Sequence, residues 1–196
     1  VVATHAHQDH IGGLPAILRN FHPRDLWVGA RPSSELIAEA QRLGIRVRYP
    51  VAGETWEQSG ATLHFLTPAG DQPYRKTANN DSLAFQISYG SRSMLLTGDI
   101  ESEAEAMAIA RGVGHADILK VAHHGSRTSS TEAFLDAVSP EVAIVSAGFE
   151  NSFGHPHPNI LARLRERHTA ILRTDQGGLS IAGTDGKRVW FSQMTQ

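Results

Sequence analysis

The chain has 196 residues, of which 40% are hydrophobic and 19% charged, with a formal net charge of −2 at pH 7. This composition favours one compact domain over a disordered chain, and the sequence has no apolar run of the roughly 20 residues that span a bilayer. The absence of cysteine excludes disulfides, thiolate metal ligands and a cysteine nucleophile. The near-neutral charge also provides no global positive field that would indicate nucleic-acid binding.

Strands and helices are predicted in alternation along the first half of the chain. In chain order, the apolar pattern predicts a strand at 1–4, a helix at 14–21, a strand at 26–29, a helix at 33–43, and strands at 46–49, 61–66, 83–89 and 93–97.

The second half continues this alternation. It predicts a helix at 101–110, a strand at 118–122, a helix at 129–138 that starts with the capping-box pair Ser129 and Glu132, a strand at 142–146, a helix at 158–168, and strands near Ile171, Leu179 and Val189. The mixture predicts an α/β architecture with antiparallel elements.

A dense group of metal-ligand side chains follows the first predicted strand, in the stretch THAHQDHIGG. His5 and His7 are two residues apart, so an extended segment would point both toward one ion. Asp9 and His10 come one turn later and could serve a second ion. Clustered His and Asp side chains at this spacing are typical of a metal site.

Two further segments place ligand-type residues directly after apolar strands. Asp99 follows the strand at 93–97, where its carboxylate could bridge two cations, although aspartate is also a favoured N-cap for the helix that follows. His123 and His124 follow the strand at 118–122 and precede a glycine. Adjacent side chains diverge in extended chain, so one of the pair should bind metal, with His124 favoured, and the other should meet substrate.

Two loops carry candidate substrate contacts. In FGHPHP, prolines stiffen the backbone around His155 and His157. We expect His155 to contact a phosphate or to pass a proton to the leaving group, whereas His157 suits either substrate binding or a solvated turn. Ser126 and Arg127, after the histidine pair, are placed to bind a phosphate. The alternative is that both lie in a solvated loop without a ligand.

These motifs resemble the H-x-H-x-D-H signature and the later metal-ligand segments of the metallo-β-lactamase fold superfamily. The order of NNDSLAFQI, TGD, LKVAHHGS and FGHPHP most resembles the C-terminal domain of ComEC-type DNA-internalisation competence proteins. The resemblance implies an αββα sandwich that lacks its N-terminal strands, as a single domain at 1–196. It also implies that this domain, itself soluble, is a fragment of a larger membrane protein on the extracytoplasmic, periplasmic face of the bacterial inner membrane.

The sequence departs from the superfamily at one expected ligand. A further histidine usually lies between the opening motif and the bridging aspartate, but the only histidines in that interval, His22 and His64, have no matching context. Asn80, within an Asn-Asn-Asp run, is the candidate replacement. An oxygen ligand would shift the preference from zinc toward manganese or magnesium, whereas the same run is also ordinary turn chemistry.

The resemblance implies a metal-dependent nuclease that degrades one DNA strand during DNA uptake. Two divalent ions, Mn²⁺ or Zn²⁺ with Mg²⁺ as a further candidate, would be held by His5, His7, Asp9, His10, Asp99, His124 and Asn80. Asp9 would orient the attacking hydroxide, and His155 or His123 would protonate the departing oxygen. The implied partners are single-stranded DNA and the membrane channel of the parent protein, with no organic cofactor. The alternatives are a catalytically weak DNA-binding module and a small-molecule metallohydrolase.

Overall fold

The computed structural model of the chain describes residues 1–68 and 78–194. The strands are β1 Val2–Ala3, β2 Asp25–Val28, β3 Arg46–Arg48, β4 Thr55–Gln58, β5 Ala61–Phe65, β6 Phe85–Tyr89, β7 Arg92–Leu96, β8 Ile118–Lys120, β9 Val142–Val145, β10 Ala170–Arg173, β11 Ser180–Thr184 and β12 Val189–Gln193. The helices are α1 Gln8–Ile11, α2 Leu14–Phe21, α3 Ser34–Arg42, α4 Ser102–Ala110, α5 Glu132–Val138, α6 Pro158–Glu166 and α7 Thr174–Gly177. Short 3₁₀ turns cover Ala78–Asp81 and Ala122–Gly125.

The strands form two stacked sheets and a separate hairpin. β1, β2 and β3 make a parallel three-stranded sheet, and a mixed seven-stranded sheet runs in the order β10-β9-β8-β7-β6-β5-β4. Within the larger sheet, β4 to β7 are antiparallel neighbours, whereas β7, β8, β9 and β10 are parallel. The hairpin pairs β11 with β12.

Three apolar clusters fix the order of the layers. One packs α2 and α3 on the small sheet, around Leu18 and Leu36. A second lies around Phe65 and Phe85 of the large sheet, against which Trp27 of the small sheet packs. The third packs α4, α5 and α6 on the outer face of the large sheet. Helix, sheet, sheet and helix therefore follow one another, which confirms the predicted αββα sandwich.

The parallel strands of the large sheet place three loops at one edge. β7, β8 and β9 are adjacent and run the same way, so their carboxyl ends meet at the same side of the sheet. These ends lead to Asp99, to the histidine pair at 123–124 and to the loop after Val145. The end of β1 brings the opening motif to the same place, since Leu83 N–H donates to Thr4 O and Ser82 contacts both His5 and Asp99.

The structure corrects several local predictions. The helix predicted at 129–138 begins at Glu132, and its N-cap is Thr131 rather than Ser129, because the Thr131 hydroxyl accepts Phe134 N–H. The alternative role of Asp99 as a helix cap is also wrong, since Glu101 occupies the N-cap position of α4. Strand β4 had no prediction because Trp56 is its only large apolar residue. Among the described residues, no helix is long and apolar enough to cross a membrane.

Candidate metal centre

Four side chains from three separate segments converge where the sheets meet. One ligand atom from each of Asp9, His10, Asp99 and His124 lies within 4.8 Å of all the others. His10 Nε2 lies 3.2 Å and His124 Nε2 lies 3.4 Å from Asp99 Oδ2, and the two imidazole nitrogens face each other at 3.4 Å. We call this group the four-residue cluster. Converging lone pairs of this kind are the donor arrangement of a cation site.

Each member of the cluster is delivered by local backbone structure. Asp9 and His10 are carried by the single turn α1, which begins after His7. Asp99 follows Gly98, whose φ of 55° suits glycine and whose position leaves no room for a Cβ, because that atom would lie 2.7 Å from Ser82 Cβ. Asp99 itself is only 2% exposed. The Asp99 carboxylate is therefore held in place at the base of the site.

His124 is oriented for ligation by its other ring nitrogen. Its Nδ1 lies 2.6 Å from the carbonyl oxygen of Ser146, which can only accept, so Nδ1 carries the hydrogen. In the metal-free chain Nε2 can also carry a hydrogen and donate to Asp99, and this hydrogen bond raises the pKa of His124. Loss of the Nε2 hydrogen would leave a lone pair directed at Asp9 and Asp99. His123 and His124 both have left-handed backbone conformations, so the turn separates the two side chains that the sequence could not distinguish.

His5 and His7 lie beside the cluster. The ring of His5 is 4.2 Å from that of His10 and 4.5 Å from that of His7. His5 is buried, and its Nε2 has no hydrogen-bond partner although it lies 3.8 Å from Asp99 Oδ2. A buried polar atom without a partner is rare in a stable fold. This orphaned nitrogen and the His/Asp donors around it fit a divalent ion, with Asp99 shared between His5 and the four-residue cluster.

Buried charges around Asp99 keep this carboxylate ionised. Burial alone would raise the pKa of Asp99, but hydrogen bonds to His10 and His124 and the charge of Lys120 outweigh it and hold the pKa well below its usual range. The Lys120 Nζ lies 3.4 Å from Asp99 Oδ1 and donates to Gly98 O. Burial, followed by the neighbouring His10, lowers the pKa of His5 to about 4, so its imidazole is neutral at pH 7 and available as a ligand.

His123 belongs to a different contact network from His124. Its Nδ1 lies 3.3 Å from Thr128 Oγ1 and 3.5 Å from Glu101 Oε1, and Thr128 Oγ1 donates to the same Glu101 oxygen. Its ring lies 5.8 Å from that of His155, and burial lowers the pKa of both histidines. The pair is thus positioned at the side of the cluster rather than within it.

An open cavity of about 800 Å³ adjoins the centre. Its wall includes Asp9, Asp99, His124, His123, His155 and Phe153. Two predicted metal-site histidines, His7 and His124, therefore face the same space as His123 and His155. His157, by contrast, caps α6, where its Nδ1 accepts Asn159 N–H.

Two of the three remaining predicted site residues have structural partners. The Asn80 carboxamide oxygen accepts Glu101 N–H at 2.7 Å, which gives it a role at the start of α4, and its ligand role stays a prediction. The Ser126 hydroxyl is buried and accepts Thr128 N–H within its own loop. Arg127 is exposed, and a phosphate contact by this side chain stays a prediction.

Sequence reasoning missed three residues that support the centre. Lys120 could have been found as the one charged position in an apolar strand that ends at the site. The Ser82 hydroxyl accepts Asp99 N–H and lies 3.2 Å from His5 Nδ1, whereas Glu101 contacts His123. Neither Ser82 nor Glu101 carries a signal in the sequence, because each role depends on contacts between distant segments.

Fold and site together define a metallohydrolase-type centre on an αββα sandwich. The chain belongs to the metallo-beta-lactamase superfamily, whose family model matches residues 1–148.

Several curated proteins are similar over most of the chain. ComE operon protein 3 of Bacillus subtilis is 35% identical over 91% of this chain and 24% of its own length. Recombination protein 2 of Haemophilus influenzae is 34% identical over 91% of this chain and 21% of its own length. Competence protein ComA of Neisseria gonorrhoeae is 31% identical over 96% of this chain and 26% of its own length. The chain thus spans about a quarter of the length of these relatives.

Solved structures share the fold at low sequence identity. CmlA, a diiron beta-hydroxylase from Streptomyces venezuelae, has a TM-score of 0.57 at 18% identity, covering 88% of this chain and 42% of CmlA. A putative metal-dependent hydrolase from Parabacteroides distasonis has a TM-score of 0.55 at 12% identity, covering 89% of this chain and 74% of that protein. At these identities the likeness concerns the fold alone.

Proposed function

We propose that this chain is a metal-dependent phosphodiesterase that cleaves DNA, acting on one strand during DNA uptake. The observation that carries the proposal is the four-residue cluster at the wall of an open cavity. Lys120 faces only the Oδ1 atom of the buried, ionised Asp99, whereas Oδ2 is faced by two imidazoles, an arrangement that suits a bound cation. The relatives named for competence and recombination make DNA the substrate class that we favour.

The metal ligands divide into two groups around Asp99. His5 and His7 would hold one divalent ion and Asp9, His10 and His124 the other, with Asp99 shared and Asn80 as the proposed oxygen donor. Mn²⁺, Zn²⁺ or Mg²⁺, when bound, supplies Lewis acidity toward a phosphodiester oxygen and lowers the pKa of water.

The remaining side chains would handle protons and orientation. The Asp9 side chain is 61% exposed to the cavity side of the cluster, where its carboxylate can accept a hydrogen bond from the attacking water. His123 and His155 are neutral at pH 7 because burial lowers both pKa values. A phosphodiester anion in the cavity would raise these pKa values, since a nearby negative charge favours the imidazolium form. Substrate binding itself would therefore prepare either histidine to protonate the leaving oxygen.

The wider context is also part of the proposal. We place the chain as one domain, spanning 1–196, of a larger membrane protein on the periplasmic face of the bacterial inner membrane. Its partners would be single-stranded DNA, held by Arg127, Ser126 and His157, and the channel portion of the same parent protein.

One observation favours a second candidate function. The Asn80 oxygen already accepts a backbone hydrogen bond, so the group containing His5 and His7 lacks a firm third protein donor beside Asp99. A weakly occupied ion there would make the chain a DNA-binding module with little catalysis. A metallohydrolase of small molecules is the third class that the fold accommodates.

Metal content and nuclease activity of matched variants separate these functions. Purified protein would be dialysed against Mn²⁺, Zn²⁺ or Mg²⁺, its metal content measured, and labelled single-stranded and duplex DNA offered as substrates. We expect Mn²⁺-dependent cleavage of DNA, and we expect Asp99→Ala to abolish it. The control is Asp25→Asn, which should retain cleavage because Asp25 lies away from the site, paired with Arg46 and Arg48. DNA binding without cleavage would support the module. Cleavage of lactones or β-lactams but not of DNA would support the small-molecule hydrolase.

A further inference from the structure

Two phenylalanine rings project from the loop that borders the cavity. Phe149 is 78% exposed and Phe153 is 80% exposed, the two highest values among the large hydrophobic side chains of the described residues. Exposing a large aromatic side chain to water forgoes the free energy of burying it. An exposed aromatic side chain at the edge of a cavity, as Phe153 is, is a candidate binding surface.

The loop that carries these rings is held in place. The Asn151 side-chain amide donates to the carbonyls of Gly148 and His155, and its oxygen accepts His155 N–H. His157 N–H donates to Gly125 O, which ties the end of the loop to the turn that follows the histidine pair. The rings are therefore presented from a braced segment.

Phe153 is already part of an aromatic stack directed at the cavity. Its ring is nearly parallel to that of His155, with an interplanar angle of 19° and centroids 5.9 Å apart. Phe153 and His155 both line the cavity that contains Asp99 and His124. Because Phe153 is 80% exposed despite this stack, its ring keeps accessible surface against which a second planar group could pack.

We infer that Phe153 is a stacking platform for unpaired nucleobases next to the metal centre, and this inference rests on the proposed function. Aromatic rings bind any base through its π-face, but only a base that is not enclosed in a duplex offers that face. A strand whose bases stack on Phe153 would place an adjoining phosphate in the cavity beside Asp99. The platform thus selects single strands over duplex DNA and over small phosphodiesters without bases.

A pair of oligonucleotides with the same backbone tests the platform. One is a fluorescein-labelled thymidine 12-mer, and the other carries stable abasic residues in place of its central bases, so that the phosphates are identical. Binding to metal-free protein would be followed by fluorescence anisotropy, in the presence of chelator and at one fixed salt concentration.

We expect wild-type protein to prefer the base-bearing strand, and Phe153→Ala to weaken binding of that strand on the order of tenfold while leaving the abasic strand unchanged. Phe153→Trp should restore the preference because the indole also stacks. Phe21→Ala is the matched control, since Phe21 is 73% exposed at the end of α2 and is not among the described residues that line the cavity. It should behave as wild type.

Two results would overturn the inference: equal binding of both strands by wild-type protein, or a Phe153→Ala variant that keeps the preference. Phe153→Ala that changes self-association in sedimentation but not the strand preference would also overturn it, by showing that the rings cover a protein surface. Mn²⁺-dependent cleavage of the base-bearing strand by wild-type protein tests the proposed function separately. Such cleavage without a Phe153-dependent preference retains the phosphodiesterase and rejects the platform, whereas preference without cleavage rejects only the phosphodiesterase.

Discussion

The two halves of the candidate centre differ in how completely the protein supplies them. Around His124, four donor atoms from three segments already lie within 4.8 Å of one another. Around His5, one buried nitrogen lacks a hydrogen-bond partner, and the Asn80 oxygen that could complete the group accepts a backbone N–H instead. We therefore expect the His124 half to bind its ion tightly and the His5 half to bind weakly, although Asp99 is adjacent to both.

The largest effect should come from removing a donor of the complete half. His124→Ala should weaken metal binding by at least about 100-fold, because even partners outside the ligand shell cost 10–100-fold when removed. Isothermal titration with Mn²⁺ would measure this affinity. His115→Ala is the control and should keep wild-type affinity, because His115 is an exposed histidine near Asp117. Equal losses in the two variants would contradict the assignment.

In the incomplete half, the buried His5 should make the free energy of unfolding depend on pH. The pKa of His5 is about 4 in the folded chain against 6.5 for the free side chain. Between these values the unfolded chain binds more protons, so the free energy of unfolding of metal-free protein should fall as the pH decreases from about 6.5 to about 4. After an allowance for solvent screening, His5 should contribute about 1–2 kcal/mol of this fall.

Urea denaturation at pH 7 and pH 4.5 would isolate the contribution of His5. His5→Gln cannot titrate, so its free energy of unfolding should change less between the two pH values than that of wild-type protein. Groups that do not contact His5 are common to both proteins and cancel in the difference. Identical pH dependence in the two proteins would contradict a buried, neutral His5.

A third prediction concerns Asn80, which is either the oxygen donor of the His5 half or only the acceptor for Glu101 N–H. Asn80→Ala should lower stability by about 1 kcal/mol, because Glu101 N–H loses its acceptor. The number of bound metal ions should stay the same if the contact with Glu101 is the main role of this side chain. Thermal unfolding and metal analysis of the same sample would measure both. A lost ion with unchanged stability would identify Asn80 as a ligand after all.

The smallest effect should come from Glu101, which contacts His123 rather than the cluster. Glu101→Gln should reduce kcat for DNA cleavage about threefold, below the loss expected for a direct partner of a metal ligand, and should leave the metal content unchanged. Glu103→Gln, on the first turn of the same helix, provides the control. A change in the metal content of Glu101→Gln would contradict this assignment and would indicate that Glu101 takes part in metal binding.

Local patterns in the sequence predicted most of the elements and the members of the complete half. The motif at 5–10, Asp99 and His124 each follow an apolar strand, and parallel neighbours bring such strand ends together. The sequence predicted that the side chains of His123 and His124 diverge, but not the left-handed conformations through which the turn separates them, because the argument assumed extended chain.

Two residues that act through long-range contacts, Ser82 and Glu101, were beyond sequence reasoning, whereas Lys120 could have been found as the charged end of an apolar strand. Lys120, Ser82 and Glu101 acquire their roles only when β8, the turn after Ala78 and the start of α4 meet around Asp99. Asn80 is the opposite case. Its residue type suits a metal ligand, but the partner of its side-chain oxygen is the backbone N–H of Glu101, which the sequence could not indicate. Strand β4 was missed because a mostly exposed strand has little apolar pattern.

The most direct test of the central claim is anomalous diffraction at the manganese edge from crystals of the chain grown with Mn²⁺. The account predicts an anomalous peak within about 2.0–2.3 Å of ligand atoms from Asp99 and His124, with a weaker peak beside His5. Saturating Mn²⁺ that leaves no peak among Asp9, His10, Asp99 and His124 would contradict it.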